Sequence, residues 1–425
     1  MITDEDREIL GAQPLTAWDR VKMIGIVALL PIAFIYQLVR FFLPSHPQRG
    51  LHWRQKAMLA SIHAANVFQS QKRISYAGSH VKTTDELLRA FVRKSRDRIQ
   101  HREVAVPISA AAATNPATGR AVPPPTLHFL SGPWLGSGGD GPVLFYAHGG
   151  GYLEPVVPGA HIPLARSMAQ ACGARAIVFI AYALCPEAQY PAHLVQVVEA
   201  MRFLLEREAI PPGELVLAGD SAGAHMMASL LAHMAAPAPH VPPLTTRGGA
   251  PLRAVVLLSP WFTWTDAASL GGRTCDYLDG PHTARLVRVL RPRPDEVWCE
   301  IVAAPAAREV WARVFGGARP LVQRLLVTAA EEEIMQRDAR VWAVEYAGAE
   351  SVVVGQGAMD GELAVVRRAR RVLAVGVGET HVQPGLDEAV GLLYWSTTPP
   401  IVSTNSWLGG SGGKCERRRR EYYSK

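Results

Sequence analysis

Gly219-Asp220-Ser221-Ala222-Gly223 decides the reading of this chain. It follows the apolar run Leu215-Val216-Leu217-Ala218 and precedes an Ala-, Met- and Leu-rich run from Ala224 to Ala235. Strand, glycine-flanked turn, helix is the setting that a G-x-S-x-G nucleophile elbow requires. The serine there sits at a strained backbone position, and side chains two residues either side would collide. Ser221 is the candidate nucleophile.

Working upstream, the apolar run Val143-Leu144-Phe145-Tyr146-Ala147 runs into His148-Gly149-Gly150-Gly151-Tyr152. Acyl transfer builds negative charge on a carbonyl oxygen, and fixed backbone N–H groups stabilise that charge well. Glycines let the backbone come close to a substrate. A glycine-rich loop upstream and an elbow downstream together point to an oxyanion hole and its nucleophile.

The pair resembles the hormone-sensitive-lipase branch of the α/β-hydrolases, the group with arylacetamide deacetylases and steryl acetyl hydrolases. Tyr182-Ala183-Leu184-Cys185-Pro186-Glu187, followed by Tyr190-Pro191-Ala192, is similar to that branch's Y-R-L-A-P-E…F-P-A segment. The resemblance runs from about Pro142 to Val390. It implies an α/β-hydrolase fold: a mostly parallel sheet with helices on both faces, a helical cap and no cofactor or metal. It places oxyanion donors on the loop Gly149, Gly150 and Gly151 and on Ala222, with His148 bracing that loop. Asp220 is the branch's usual neighbour of the serine and reads as structural.

The triad order in this fold is serine, acid, histidine. Beyond Leu325 the chain has one histidine, His381, in Gly378-Glu379-Thr380-His381-Val382-Gln383-Pro384. The acid is less direct. The branch has a run like G-D-E-I-L-R-D-D, and this chain has Glu331-Glu332-Glu333-Ile334-Met335-Gln336-Arg337-Asp338. Aligning Ile334-Met335 with I-L puts Glu332 on the catalytic acid; Glu331, Glu333 and Asp338 are the alternatives.

The remaining alternation supports the same architecture. Apolar runs at Arg175–Tyr182, Leu252–Leu258 and Leu325–Ala329, separated by helical stretches such as Gly159–Ala171 and Ala192–Glu208, indicate a parallel sheet buried on both faces. The excursion 263–315 carries Trp264, Tyr277, Trp298 and Trp311 and reads as a lid lining the pocket. Val352–Val354 and Val372–Val377 are two apolar runs where one is expected before the histidine loop, so 356–377 reads as a surface insertion or a faulty gene model. The catalytic domain is expected over 126–398.

Ahead of it, 1–20 is a polar tail. Residues 21–43 hold an apolar run flanked by Arg20, Lys22 and Arg40, long enough to span a bilayer. A signal peptide and a soluble helix are the other readings. The charges flanking the run lean towards a cytosolic catalytic domain. The resemblance implies a single-pass anchor at the endoplasmic reticulum, with the domain on the lumenal side. Residues 44–125 form an N-terminal helical cap and linker, with amphipathic helices at His52–Gln71 and Thr83–Arg98 that, by the resemblance, cover the acyl pocket. Ala110–Pro125 reads as a loop and Ser131–Gly141 as the turn of the first hairpin.

Composition narrows the class. The net charge is +7, much of it in Arg367-Arg368, Arg370-Arg371 and Arg417 to Arg420. No aromatic-basic platform accompanies these, so nucleic acid is not an expected partner. Residues 399–425 read as a disordered basic tail. Cys172, Cys185, Cys275, Cys299 and Cys415 form no C-x-x-C pair, so neither zinc nor redox chemistry is indicated. Two further functions stand beside a lipophilic-ester hydrolase: a xenobiotic arylacetamide deacetylase or lipase, and a non-catalytic small-molecule receptor on the same fold.

Overall fold

The computed structural model describes residues 16–69, 82–135, 140–264, 275–355 and 360–392. Its centre is a nine-stranded sheet in the order β1-β2-β4-β3-β5-β6-β7-β9-β8. The strands are β1 Gln100–Ala105, β2 Thr126–Ser131, β3 Val143–Ala147, β4 Ala176–Ala181, β5 Leu215–Asp220, β6 Ala254–Leu258, β7 Leu325–Ala330, β8 Glu350–Val354 and β9 Arg371–Gly376. β2 runs antiparallel to both β1 and β4, and every other pairing is parallel.

The interior strands β3 to β7 are almost entirely apolar because both faces are covered. Successive side chains point to opposite faces. Phe145, Leu217, Leu257 and Val327 therefore enter one core, and Leu144, Tyr146, Val216 and Leu326 the other. The covering helices are α4 His161–Cys172, α5 Ala192–Glu206 and α6 Ala222–Ala235, with α8 Ala307–Phe315 and α9 Gln336–Val341 later in the chain. Ahead of them come α1 Ala17–Arg40, α2 Trp53–Gln69 and α3 Thr84–Lys94; α7 Gly280–Leu290, α10 Asp360–Arg368 and α11 Gln383–Ala389 complete the set.

β3 pairs with β4 on one side and β5 on the other, so the chain reverses direction across the sheet at β3. Loops leaving the carboxyl ends of strands at such a reversal diverge and open a crevice. The loops after β3, β5, β7 and β9 all leave from that edge.

Several expectations need correction. The sheet begins at Gln100, not 126: β1 is an additional edge strand, and the first hairpin joins β1 to β2 through 106–125 rather than through Ser131–Gly141. Residues 356–377 do not form a surface insertion. β9 lies between β7 and β8 with Val372, Leu373 and Ala374 buried, and Val366 of α10 packs on the same core. Residues 356–359 themselves lie outside the described residues. Of the four aromatic residues in the excursion, Trp264 and Trp311 donate their indole N–H groups to Cys299 O and Ile301 O within the excursion itself, and Trp298 donates to Ala236 O just after α6. Only Tyr277 of the four faces the pocket. Residues 265–274 and the basic tail 399–425 lie outside the described residues. Among the described residues no disulfide forms.

α1 opens with a capping box at Thr16 and Asp19 and holds Pro31 inside its length. It is long and apolar enough to cross a membrane, with a mean hydropathy of 2.0 in its apolar window and none of that window buried against the protein. Its last turns do touch the body. Phe34, Leu38 and Phe41 pack with Leu51 and Leu59, next to Tyr277 and Leu386.

Candidate active site

Ser221 has φ 51° and ψ −119°, a region that a residue with a side chain occupies only under constraint. The constraints are visible. Its N–H donates to Leu258 O at 2.9 Å, and its carbonyl accepts from His225 N–H at 3.0 Å and Trp261 N–H at 3.3 Å. A Cβ on Gly219 would stand 2.5 Å from the Gly223 carbonyl carbon, and one on Gly223 2.1 Å from Ala147 O. Both glycines are therefore required by contact, as the elbow motif implies.

The loop after β3 lies against the elbow. Asp220 Oδ1 accepts from Gly149 N–H at 3.0 Å and from the Tyr146 hydroxyl at 2.5 Å, and Oδ2 lies 3.4 Å from His161 Nε2. Burial acts to raise Asp220, but the His161 charge and these hydrogen bonds leave its carboxyl below the usual range. Asp220 thus ties the elbow to this loop, the position of a brace. Gly149, expected among the oxyanion donors, gives its N–H to Asp220 instead and is removed from the candidate donors. A Cβ there would also stand 2.2 Å from Asp220 Oδ2. The N–H groups of Gly150 and Gly151 find no acceptor among the described residues, and Ala222, the first residue of α6, has its N–H at the positive end of that helix.

His148 braces this loop. Its Nδ1 lies 2.7 Å from Gly149 O and its Nε2 3.0 Å from Thr84 Oγ1, while Tyr182 donates its hydroxyl to His148 O at 2.8 Å. Thr84 opens α3, so of the two N-terminal helices only α2, through Met58 and Ile62, lines the pocket; α3 supports the oxyanion loop instead. Burial, helped by the His161 charge, pushes His148 down to about 4.

The candidate base and its carboxylate partner come from the last two loops. His381 is buried, with Nδ1 3.0 Å from Glu333 Oε2. Its Nε2 is buried with no partner among the described residues. The carboxylate that meets His381 is thus Glu333, not Glu332 as the alignment put it. The chain turns as soon as it leaves β7, so strand alternation does not continue through the three glutamates. Glu333 Oε1 accepts from Ala330 N–H at 2.9 Å, folding the side chain back over that turn and towards His381. Glu332 instead gives its backbone N–H to Glu379 O at 3.0 Å, and Glu331 Oε2 accepts from Gly378 N–H at 2.9 Å. Asp338 is buried within α9. Burial works to lower the His381 imidazole, but the Glu333 hydrogen bond and the charges of Glu333, Asp276 and Asp220 more than offset this, and it lies above its ordinary value.

Ser221, His381, Gly150 and Gly151 open on one cavity of about 360 Å³. Its walls are mainly apolar, with Met58 and Ile62 from α2, Leu286 from α7, Tyr277, Trp261 and Leu386. Asp85, Glu103 and His128 also cluster, but they lie on α3, β1 and β2 away from this cavity, and Arg89 pairs with Glu103 at 2.7 Å. What the cavity brings together is a serine on a strained turn, a histidine held from behind at Nδ1 by a carboxylate with Nε2 left free, and two loop N–H donors.

The sequence pattern of the α/β-hydrolase fold family matches residues 144–358, just over half of the 425-residue chain. The chain belongs to this family. It is similar to an acetyl-hydrolase of Streptomyces hygroscopicus, 32% identical over 205 residues that make up 47% of this chain and 60% of that protein. It thus covers less than two thirds of that relative's length. Among solved structures it superposes on a thermostable esterase from Pseudomonas putida with a TM-score of 0.52 at 17% identity, over 85% of this chain and 96% of that one. An esterase of the bacterial hormone-sensitive lipase family superposes with a TM-score of 0.50 at 21% identity, over 84% and 98% of the two chains. At these identities the superpositions speak for the fold alone.

The buried histidines set a pH limit on this fold. Burial, the largest influence on each, pushes His148, His225 and His233 down to about 4 and His193 to about 3. In the unfolded chain each titrates near 6.5. Below that pH the unfolded state takes up protons that the folded state refuses, so stability present above about pH 6.5 is lost as the pH falls towards 4. Asp387, pushed up to about 6 mainly by burial, the carboxyls of Glu154, Asp276, Glu300 and Glu388, also raised chiefly by burial, and His381 act in the opposite direction and offset part of this loss. Thermal unfolding is expected to show Tm falling by roughly 10 °C or more between pH 7 and pH 4.5. A flat Tm over that interval would show that these histidines are solvated in solution.

Proposed function

We propose that this chain is a serine carboxylic-ester hydrolase that acts on lipophilic, short-acyl esters and is held at a membrane by α1. The observation that carries the reading is the convergence of Ser221, His381 with Glu333 behind it, and the Gly150 and Gly151 N–H groups on one apolar cavity. Ser221 Oγ attacks the acyl carbon while His381 Nε2 takes its proton. Glu333 holds the imidazole with its proton on Nδ1 and stabilises the imidazolium that forms. The N–H groups of Gly150, Gly151 and Ala222 receive the oxyanion. His381 returns the proton to the departing alcohol, and water repeats the sequence on the acyl-enzyme.

The apolar lining favours a lipophilic ester over a charged one. The acetyl group is supported by the branch resemblance and by the similarity to the acetyl-hydrolase of Streptomyces hygroscopicus. Steryl acetates, and a site at the endoplasmic reticulum, rest on the resemblance alone. An ester panel that varies acyl length against alcohol bulk tests the reading. Acetates of bulky apolar alcohols are expected to lead; preference for long-chain acylglycerols or for aryl acetamides would favour the lipase or deacetylase alternative.

Anchorage has its own test. Deleting residues 1–33 should release the protein from membranes while kcat on a soluble short-chain ester stays within about threefold, because none of the apolar window of α1 is buried against the protein. Deleting through Leu43 should also release it, but at a cost of about 2–4 kcal/mol in stability, since Phe41 is then lost from its packed cluster. Full-length protein found wholly in the soluble fraction would contradict the anchor.

A further inference from the structure

Asp276 lies in the excursion between β6 and β7, outside every sequence motif, and its side chain is buried. Its Oδ2 accepts from Ile334 N–H at 2.9 Å. Its Oδ1 accepts from Thr380 Oγ1–H at 2.8 Å and, more loosely, from His381 N–H at 3.4 Å. Ile334 follows Glu333, and Thr380 precedes His381. One carboxylate from a third segment thus joins the loop of the acid to the loop of the base, each at the residue beside the functional one.

We propose that Asp276 is a positioning residue for the reaction: it locks the Glu333 and His381 loops in register and places a second carboxylate charge beside the imidazolium. The inference rests on the Ser221–His381–Glu333 reading, which Ser221→Ala tests separately. Burying two carboxylates near each other is costly, and burial first and the Glu333 charge among the other influences hold the Asp276 carboxyl above its ordinary value. Beyond the clamp, both carboxylate charges act on the His381 cation that forms during every turnover.

An amide cannot replace this carboxylate. Ile334 N–H and His381 N–H address different oxygens, and both are donors. Asparagine offers one oxygen, so its NH2 must face a backbone N–H on one side or the other. The groups that act on His381 alongside Asp276 are Glu333 from the loop after β7 and Asp220 at the elbow, with the Tyr277 ring centred 6.0 Å away. Glu331, Glu332 and Glu379 sit in the same two loops and remain in place in each variant below.

The experiment is the pH dependence of kcat/KM on an aryl acetate for the parent, Asp276→Asn and Thr380→Val, with Tm measured on each. Asp276→Asn is expected to lower kcat about 10- to 100-fold through misplacement of the pair. It should also move the acid limb down by roughly 0.5 pH unit or more, because the imidazolium loses a favourable charge. Thr380→Val removes one donor and keeps the charge, so its limb should stay within about 0.2 unit of the parent. If Asp276→Asn does not fold, Asp276→Ser, which leaves room for water to reach the three donors, carries the same measurement. An unmoved limb in the folded variant, or an equal shift in Thr380→Val, overturns the proposal and leaves Asp276 a structural brace. Loss of all turnover in Ser221→Ala, seen alongside an unmoved limb, would show that the hydrolase reading stands while this inference fails.

Discussion

Ser221→Ala is expected to remove ester turnover by about a millionfold in kcat, the scale of loss when the nucleophile of a serine triad is deleted. The fold should survive. The backbone contacts that hold Ser221 at φ 51° come from its own N–H and carbonyl, to Leu258, His225 and Trp261, and alanine keeps all of them. Neither Gly219 nor Gly223 gains a contact from the change. The variant should therefore melt within a few degrees of the parent and still bind ester in the cavity. Labelling with a fluorophosphonate, which reports a reactive serine directly, should disappear with the hydroxyl. Near-parental kcat in a folded Ser221→Ala protein would end the hydrolase reading, and absence of labelling in the parent would favour a binding protein on the same fold.

What the sequence made legible was set by local rules. The elbow and the glycine loop announce themselves because a strained serine and a close backbone approach admit few residues at those positions. The central strands are legible because burial on both faces demands unbroken apolar runs, as in Val143–Ala147 and Ala254–Leu258. Edge strands follow no such demand. β1 reads Gln-His-Arg-Glu-Val-Ala with none of its residues fully buried, so nothing in its composition distinguishes it from a loop. β8 and β9 illustrate a different limit. Both runs are valine-rich, and only their order in the sheet decides which is interior: Val372 to Ala374 lie between two strands, whereas Glu350, Ser351 and Val353 stay exposed at the edge. That order depends on how α10 packs between them, which no local pattern encodes. Asp276 was illegible for a similar reason. A lone aspartate in a long excursion has no motif, and its importance exists only once Ile334 and Thr380 are brought to it.

The triad acid separates what spacing can and cannot give. Spacing located three adjacent glutamates; the turn after β7 chose among them. Glu333→Gln is expected to lower kcat about 1,000- to 10,000-fold on a short-chain ester, by analogy with the aspartate-to-asparagine change in a serine protease. The geometry explains why so similar a side chain fails. Both Glu333 oxygens accept from N–H donors, Oε1 from Ala330 and Oε2 from His381 Nδ1. Glutamine can accept at only one of these places. With its NH2 towards His381, the imidazole must turn its proton to Nε2 and can no longer take one from Ser221. With its NH2 towards Ala330, the turn that aims the side chain opens. The charge is lost either way, so the surviving activity should show its acid limb at lower pH than the parent, because the Glu333 hydrogen bond and charge are what raise the imidazole against its burial. Glu332→Gln keeps the Glu332 N–H bond to Glu379 O and leaves the Glu333–His381 pair intact, so it should stay within about threefold of the parent. The reverse outcome, with Glu332→Gln collapsed and Glu333→Gln near parental kcat, would mean that the three glutamates sit one position further along in the working enzyme.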